Sequence, residues 1–538
     1  RGPGRQPRLR GVHAAPTTPR NLTGLAKRSI PSPMASQTNL MFAFTFIAIG
    51  GLLFGYVIGI NSNVITEGQL LCAGDHTGTV GTWTSWGYGQ CWRLSTVTIG
   101  LLSSMSLLGA MLSTLICFRY ADDLGRKLEA QIGALLYIVG SFVAALSPVL
   151  WGVVLGLLVY GLAIGFAMHV APLYIAEISP ADVRGTLVSA KEAVIVLGMF
   201  LGFLAGHVFS LVSSDGWRLM ILCAGFLATA MSCGVAHVPQ SPRYLVLMAA
   251  RRGSGAGEDE EALAALAFFR GGSSDEAREE LRRLRSDVET SLRGDKELDG
   301  LLQKQGAREL GALAAFAYPT PLVVGCGIVV LQQITGQPSV LYYATNVFKS
   351  AGFGDSSSQQ SLLLGLIKLV ATLFTVWRVD HYGRRPLLLI GISMMTMSLA
   401  VVAAGFSTSY CTTPGLSTTD CSTDDLEMPQ GWAIVTVAGL MVYVSGYQVG
   451  FGPISWLLIS EIFPLSVRGS ALSIAAMANF GCNVAVTFST ASLMELFGTN
   501  GLFSIFLVLS FMSIVFVWQL VPETKGKTLE EIEAMMKA

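Results

Sequence analysis

Uncharged hydrogen-bonding side chains stand inside two long apolar segments of this chain. Gln332 and Gln333 are neighbours within segment 318–343, and Asn479 lies within segment 467–492. A side-chain amide both donates and accepts hydrogen bonds, so these residues suit the recognition of a solute rich in hydroxyl groups. The alternative is that they hydrogen-bond neighbouring helices, because an unpaired amide is costly in lipid. These three residues are the first candidates for a binding site.

The segments that carry these amides are long enough to cross a membrane. Of the 538 residues, 52% are hydrophobic and only 13% are charged, whereas an average soluble domain has about 25% charged residues. A transmembrane helix needs about 20 apolar residues. Twelve apolar runs of suitable length occur, near 41–65, 94–118, 129–147, 149–171, 186–210, 217–238, 318–343, 360–378, 386–406, 432–456, 467–492 and 499–520. The sequence therefore predicts an all-α membrane protein with twelve transmembrane helices.

Basic residues in the short loops predict which side of the membrane each loop faces. Lys and Arg are enriched in cytosolic loops, and the loops after spans 2 and 8 are basic. Loop 407–431, on the opposite side, has four acidic residues and no Lys or Arg. Because the number of spans is even, both termini are predicted to be cytosolic. The formal net charge is zero, so no nucleic-acid partner is expected.

The distribution of charge divides the chain into five regions. Segment 239–317 interleaves acidic and basic residues at spacings that suit solvated helices, which indicates a cytosolic helical insert. The basic N-terminus contains no acidic residue before position 41; we interpret it as a disordered tail, and a transit-like presequence over residues 1–33 is the alternative. The predicted regions are the tail at 1–40, a six-helix bundle at 41–238, the insert at 239–317, a second six-helix bundle at 318–520 and a cytosolic tail at 521–538.

The two halves repeat each other where spans meet the cytosolic side. Segment 122–127, after span 2, is similar to segment 380–385 after span 8, and both contain Gly-Arg followed by a second basic residue. Segment 177–185, after span 4, is similar to segment 461–469 after span 10, and both pair a glutamate with a later Arg-Gly. Matched positions in two six-span halves are typical of carriers built from parallel repeats, with the solute bound between the halves.

Five motifs, in this order, resemble the sugar porter family of the major facilitator superfamily. They are Pro172–Glu177, Pro239–Arg243, Gln332–Gly336, Gly452–Trp456 and Pro522–Gly526. The resemblance extends from Met41 to Ile532 and is greatest for vacuolar and plastid-type members of plants and algae. It implies two six-helix bundles that carry a monosaccharide, a hexose such as glucose, by alternating access. A pentose, a polyol or inositol as substrate is an alternative, and a sensor that binds sugar without moving it is a remote one.

The resemblance also assigns roles to individual residues. Two glutamines of span 7 match sugar-contacting glutamines, and the tryptophan of span 10 matches one that lines the inner side of the sugar. The implied substrate-binding residues are Gln332, Gln333, Asn479, Trp456, Glu192 and Tyr342, with Asn483 and Phe480 behind them. Pro338 replaces an asparagine of the family, so a kink in span 7 is expected there. Gly452-Pro453 is expected to break span 10.

Charged residues at the cytosolic helix ends form a gating network in the family. Guanidinium groups pair with carboxylates and with helix C-termini, and these pairs latch the two halves while the outer side is open. The corresponding residues here are Asp122, Arg126, Glu177, Arg184, Asp380, Arg384, Arg385, Glu461 and Arg468. The alternative is that they only anchor helix ends on the cytosolic side. Asp123 stands where the family usually has arginine, which is expected to weaken the first latch.

Proton-coupled members of the family have an aspartate and an arginine where this chain has Val57 and Leu157. Two apolar residues cannot take up and release a proton, so the resemblance favours facilitated diffusion. Glu192, next to Lys191, is an ionisable residue inside a span, and it makes proton symport the alternative. A lone histidine such as His169 is expected to be a hydrogen-bonded packing residue.

The sequence has no nucleophile with a matching base, no metal-ligand spacing and no phosphate-binding loop. Enzyme activity, a cofactor and a metal are therefore not expected, and the expected partners are a sugar and the lipid bilayer, with the chain monomeric. Two cysteine pairs in non-cytosolic loops, Cys72 with Cys91 and Cys411 with Cys421, form disulfides if that compartment is oxidising. The plasma membrane is favoured, with the vacuolar and plastid membranes as alternatives.

Overall fold

The structure is a computed structural model that describes residues 33–66, 69–72, 80–81, 90–180, 183–212, 215–252, 256–270, 275–289, 319–411, 426–463, 468–525, 527, 532 and 535. Within them, eleven helices are long and apolar enough to cross a membrane. The last candidate span, Ala471–Leu520, has 50 residues, and its length of about 75 Å is more than twice the hydrocarbon thickness of about 30 Å. It turns at Gly498, whose φ is 69°, and therefore crosses twice. The prediction of a twelve-span helical protein is confirmed.

Six long helices form the first bundle. They are α1 (Pro33–Val64), α2 (Thr96–Leu124), α3 (Arg126–Leu146), α4 (Leu150–Ile178), α5 (Arg184–Ser210) and α6 (Gly216–His237). Small residues at the contacts let the helix backbones approach closely, as is usual between transmembrane helices. At the contact between α1 and α5, a Cβ atom on Gly55 would overlap the carbonyl oxygen of Ile195. Glycine is therefore required at this position for α1 and α5 to pack as they do.

Three shorter helices follow the first bundle: α7 (Pro242–Arg252), α8 (Ala256–Arg270) and α9 (275–289). They are attached to the bundle through α8. Asn39 of α1 donates a hydrogen bond to the carbonyl oxygen of Phe268 over 3.0 Å. Arg270 donates to the carbonyl oxygen of Ile178, the last residue of α4, over 2.6 Å and also pairs with Glu280 of α9. The insert thus caps the end of α4.

The second bundle contains broken helices as well as continuous ones. Its helices are α10 (Pro319–Ile334), α11 (Gln337–Tyr342), α12 (Ala344–Phe348), α13 (Ser357–Tyr382), α14 (Arg384–Phe406), α15 (Gln430–Val449), α16 (Phe451–Ile462) and α17 (Arg468–Leu520), with two short turns, Lys349–Phe353 and Gly354–Ser356, before α13. Span 7 consists of α10, α11 and α12, span 10 of α15 and α16, and spans 11 and 12 of α17.

Span 7 breaks at a glycine and not at the proline. Gly336 has a φ of 96°, a left-handed conformation that glycine adopts without strain. Pro338 lies in the first turn of α11, where a missing N–H costs nothing. The expected kink is therefore present, but its cause is Gly336. In span 10 the predicted break at Gly452-Pro453 is wrong, because both residues lie inside α16 and Gly450 separates the two helices.

The two ends of the helical assembly differ in how they hold the bundles together. We call the end where α1 begins and α17 ends the terminal face, and the opposite end the distal face. Hydrogen bonds between the bundles join Thr96 to Glu495 at 2.6 Å and His207 to Ser358 at 2.9 Å. Thr345 also bonds to the C-terminal end of α1. All of these lie in the distal half. These hydrogen bonds hold the two bundles together at the distal face, so the structure is closed there.

Short two-residue strands and a disulfide lie at the distal face. Strand β1 (Val80–Gly81) pairs in parallel with β2 (Cys91–Trp92), and β3 (Tyr410–Cys411) pairs antiparallel with β4 (Leu426–Glu427). Cys72 and Cys91, one of the two cysteine pairs named as candidates from the sequence, form a disulfide. The other pair includes Cys421, which lies outside the described residues.

Candidate functional site

Two buried glutamines end α10 directly before the break at Gly336. Gln332 and Gln333 are only 3% and 4% exposed. The side-chain nitrogen of Gln332 donates a hydrogen bond over 3.2 Å to the carbonyl oxygen of Phe451, the first residue of α16. The break in span 7 therefore faces the break in span 10. Both breaks leave backbone and side-chain polar groups near the middle of the second bundle.

The oxygen atoms of the same two side chains are available for a ligand. Oε1 of Gln332 and Oε1 of Gln333 are enclosed and accept no hydrogen bond from the described residues. A buried acceptor without a partner costs about 1–3 kcal/mol, so two adjacent ones favour a solute that donates hydrogen bonds. Hydrogen bonding between helices, the alternative role of these amides, accounts for the side-chain nitrogen of Gln332. It does not account for the oxygen atoms of Gln332 and Gln333.

Further predicted binding residues surround these glutamines. Tyr342, at the end of α11, is buried, and its hydroxyl group lies near Ser106 of α2 without a hydrogen bond of good geometry. Asn479 on α17 is buried and makes no hydrogen bond within the described part of the chain. One turn later Asn483 accepts a hydrogen bond from Thr487 over 3.2 Å. The first of these asparagines is thus free to bind a ligand, and the second is already engaged.

Aromatic rings connect the two bundles around this region. The ring of Phe480 meets the ring of Phe54 of α1 edge to face, with 6.2 Å between centroids. Trp456, in the middle of α16, is half-buried and packs against the apolar core. The side chains predicted to contact the solute thus come from spans 7, 10 and 11 and, through Glu192, from span 5, and Phe54 is a further residue of the first bundle. Their roles in binding remain predictions.

An intramembrane lysine, which the sequence analysis missed, lies near the glutamines. Lys368, in the middle of α13, is 2% exposed, and its ammonium group lies 5.3 Å from the ring centroid of Tyr447. Tyr447 in turn lies beside the side chain of Gln332. The charged group that acts on Lys368 is Glu192 of α5. Glu192 therefore lies within electrostatic range of a lysine of the other bundle.

Part of the predicted gating network is present in the first bundle. Arg126 pairs with Glu177 at 3.1 Å, and Ser241 donates a hydrogen bond to the same carboxylate. Gln240 accepts a hydrogen bond from the backbone N–H of Lys127 over 2.8 Å. The segment after span 6 therefore ties the start of α3 to the end of α4.

The second bundle repeats this arrangement with different residues. Arg384 pairs with Glu461 at 2.9 Å, and Thr524 donates a hydrogen bond to Glu461. Glu523 accepts hydrogen bonds from the backbone N–H groups of Arg384 and Arg385, both over 3.1 Å. The Gln-Ser pair after span 6 and the Glu-Thr pair after span 12 thus occupy equivalent places in the repeat, which sequence comparison of the loops alone did not reveal.

The ion pairs Arg126–Glu177 and Arg384–Glu461 each join helices within one bundle. The resemblance assigns the latch between the halves to a carrier that is open at its outer side, and this role stays a prediction. The fourth basic residue, Arg385, donates to the backbone carbonyl of Trp518. The remaining members of the predicted network have side chains outside the described residues: Asp122, Arg184, Asp380 and Arg468.

Thr524→Val is expected to destabilise the terminal face. The substitution keeps the shape of the side chain and removes a hydrogen bond to a charged carboxylate, which contributes about 1.5–3 kcal/mol. We expect a lower midpoint in thermal unfolding of the detergent-purified chain. The matched control is Thr45→Val, because among the described residues the exposed Thr45 hydroxyl bonds only to its own helix. Equal midpoints for the two variants would show that Thr524 does not stabilise this network.

A second group of ionisable residues is buried in the first bundle. Glu129 of α3 and His169 of α4 are joined at 2.6 Å, and the ligand atoms of these two residues and of Cys117 of α2 all lie within 4.8 Å of one another. His169 is hydrogen-bonded, as expected, but its partner is a carboxylate that the sequence analysis missed. At the positions of the family's proton site, Val57 and Leu157 are buried and apolar.

Known proteins are similar to this chain over almost its whole length. The family described as "Sugar (and other) transporter" matches residues 43–536. "D-xylose-proton symporter-like 2" of Arabidopsis thaliana is 41% identical over 497 residues, which cover 91% of this chain and 90% of that protein. "D-xylose-proton symporter-like 3, chloroplastic" of the same plant is 39% identical over 507 residues, covering 93% and 83%. A partially occluded inward-open structure of the xylose transporter XylE from E. coli has the same fold, with a TM-score of 0.69, 24% identity and coverage of 91% and 100%. The chain therefore belongs to the sugar transporter family, the sugar porters of the major facilitator superfamily.

Proposed function

We propose that this protein carries a neutral monosaccharide across its membrane by alternating access. The observation that carries the proposal is the pair of enclosed, unpartnered oxygen atoms on Gln332 and Gln333, placed where two broken helices face each other. Sugar hydroxyl groups are the donors that would satisfy them. Asn479, Trp456 and Tyr342 complete the binding site in this proposal.

Closure at the distal face supports a mechanism in which the bundles rock about the central site. The bonds from Thr96 to Glu495 and from His207 to Ser358 must break for the distal face to open. In this proposal the terminal face is cytosolic, so the structure represents the state that exchanges sugar with the cytosol. The plasma membrane is the first candidate location, and the name of the chloroplastic relative supports a plastid membrane as well.

The substrate class is a hexose or a pentose. The amides of the site bind hydroxyl groups that both kinds of sugar possess, and the two Arabidopsis relatives are named for D-xylose. We retain glucose as the first hexose to test and D-xylose as the first pentose, with inositol as the polyol.

Two driving forces are candidates for the movement of the sugar. In facilitated diffusion the sugar follows its own gradient, and in proton symport a proton gradient drives it. Facilitated diffusion is supported by the apolar residues Val57 and Leu157 at the family's proton site. Symport is supported by the names of the relatives and by the buried ionisable residues Glu129 and Lys368, since such residues within a membrane are usually functional.

The proposal is tested by sugar counterflow in liposomes that contain the purified full-length chain. Liposomes preloaded with unlabelled D-glucose or D-xylose should transiently accumulate the same labelled sugar, because a carrier exchanges sugar without net flow. A competition panel of hexoses, pentoses and inositol then ranks the substrates, and L-glucose serves as the control that should not compete. No counterflow with any sugar of the panel would refute carrier activity.

A further inference from the structure

The pair formed by Glu129 and His169 has no part in the proposed sugar site. Glu129 lies one turn after the start of α3, and the whole residue is 0% exposed. One of its oxygen atoms lies 2.6 Å from Nδ1 of His169, whereas the other oxygen makes no hydrogen bond. The imidazole is partly accessible, with 26% of its side chain exposed. The carboxylate of Glu129 is thus enclosed, and the partly exposed imidazole of His169 lies between it and the surroundings.

The distances favour a proton over a metal ion as the ligand of this pair. Two ligand atoms at 2.0–2.1 Å from a tetrahedral zinc ion are separated by about 3.3 Å. The 2.6 Å between Glu129 and His169 is shorter and matches a charge-assisted hydrogen bond. Cys117 adds a sulfur atom to the cluster, but a metal would have to push the first two residues apart.

We propose that the Glu129–His169 pair binds the proton that this carrier moves together with its sugar. The proposal rests on the proposed sugar transport and replaces the family's proton site, which is apolar here. A proton delivered by hydronium adds to a lone pair of the imidazole or the carboxylate, and the O–H bond of hydronium breaks to leave water. The pair is then neutral overall. Loss of the same proton leaves one negative charge on the enclosed carboxylate, so occupancy of the pair changes the charge of the bundle interior by one unit.

The position of Arg126 links this change of charge to the terminal face. Arg126 lies three residues before Glu129 on α3, a spacing at which side chains of one helix meet, and in this structure it pairs with Glu177 of α4. Without the proton, Glu129 competes with Glu177 for this guanidinium group. With the proton, Arg126 stays on Glu177, as observed. Protonation therefore selects between two arrangements of the network that holds α3 to α4.

Other ionisable groups around the pair are few. From α2 the facing group is Cys117, from α3 it is Arg126, and from α4 it is Glu177. The helices α1, α5, α6 and α7 also pack against α3 or α4, yet none of their described residues forms a hydrogen bond or ion pair with Glu129 or His169. The charge of the Glu129–His169 pair therefore depends on the proton and on its neighbours Cys117, Arg126 and Glu177.

The proposal is tested with the full-length chain in liposomes that enclose a pH-sensitive dye. For the unmodified chain, a sugar found active in counterflow should acidify the lumen as it enters. A pH difference of one unit, acid outside, should drive about ten-fold accumulation, because one unit of pH corresponds to a factor of ten. Glu129→Gln and His169→Gln should still exchange sugar in counterflow and should lose both accumulation and acidification. His237→Gln is the matched control, because His237 is exposed and, within the part of the chain that the structure describes, bonds only to its own helix.

The outcomes separate this proposal from the proposed function. Counterflow without any proton movement by the unmodified chain would overturn the proton site and leave the sugar carrier in place. Accumulation by Glu129→Gln equal to that of the unmodified chain would also overturn it. Absence of counterflow in the unmodified chain would refute the carrier itself. Loss of accumulation in both variants of the pair, with counterflow retained, would support the site.

Discussion

The double variant Gln332→Ala/Gln333→Ala is expected to bind sugar about 100-fold more weakly than the unmodified chain. Each substitution removes an enclosed oxygen atom that no described residue satisfies. A hydrogen bond to an uncharged partner contributes about 1.5 kcal/mol at most, so two lost bonds amount to about 3 kcal/mol, and 1.4 kcal/mol corresponds to a factor of ten. Each single variant should weaken affinity about ten-fold. Affinity is measured by the concentration of unlabelled sugar that halves counterflow.

The two single variants separate binding from folding. Gln332 also holds α10 to Phe451 of α16 through its nitrogen atom, so Gln332→Ala removes a structural contact as well. Gln333 has no such bond among the described residues, which makes Gln333→Ala the cleaner test of binding. Gln359→Ala, at an exposed position early in α13, serves as the control. Unchanged affinity in Gln333→Ala with normal thermal unfolding would place the sugar elsewhere.

Gly55→Ala is expected to prevent correct assembly of the first bundle. The added methyl group would overlap the carbonyl oxygen of Ile195 and would crowd the backbone nitrogen of Met199 at 2.8 Å. Backbone atoms of α5 cannot rotate away as a side chain can, so α1 and α5 must separate. Overpacking typically costs about 1–3 kcal/mol, and contact with backbone atoms places this substitution at the upper end of that range. We expect little monodisperse protein in size-exclusion chromatography after extraction in mild detergent.

A second glycine supplies the control for this prediction. Gly431, at the start of α15, has no atom within 4 Å of an added Cβ, so Gly431→Ala should be extracted and eluted like the unmodified chain. A normal elution profile for Gly55→Ala would mean that α1 and α5 are farther apart in the membrane than in this structure. A loss of both variants would instead indicate a general sensitivity of the chain to substitution.

The spans could be predicted from the sequence because each one is a long apolar run between polar segments. Their internal breaks could be predicted only approximately. Pro338 and Pro453 looked like the breaking residues, yet both fit within helices, and Gly336 and Gly450 make the breaks. A proline near the start of a helix lacks only an N–H that would be unpaired anyway. Which neighbouring residue leaves helical geometry depends on packing that the sequence does not display.

The ionisable residues inside the bundles were harder to recognise. Lys368 is a single charged residue in an apolar run, so it hardly lowers the mean hydropathy of that run. Glu129 follows two basic residues at the start of a span and is easily assigned to the loop. Its partner, His169, is 40 residues away in sequence, and only the packing of α3 on α4 brings them together. The hypothesis of downhill transport depended on two apolar positions, Val57 and Leu157, whereas the fold buries ionisable side chains elsewhere.

Interrupted helices around the proposed sugar site occur in only one of the two repeated halves. Spans 7 and 10 break at Gly336 and Gly450, whereas their counterparts α1 and α4 run without interruption. The second half is therefore expected to deform more easily at the proposed sugar site, whereas the first half is more rigid there. We expect the short helical pieces of the second half to adjust to a bound sugar more readily than the continuous helices of the first half. Two halves that repeat each other in sequence would then contribute differently to the movement of the sugar.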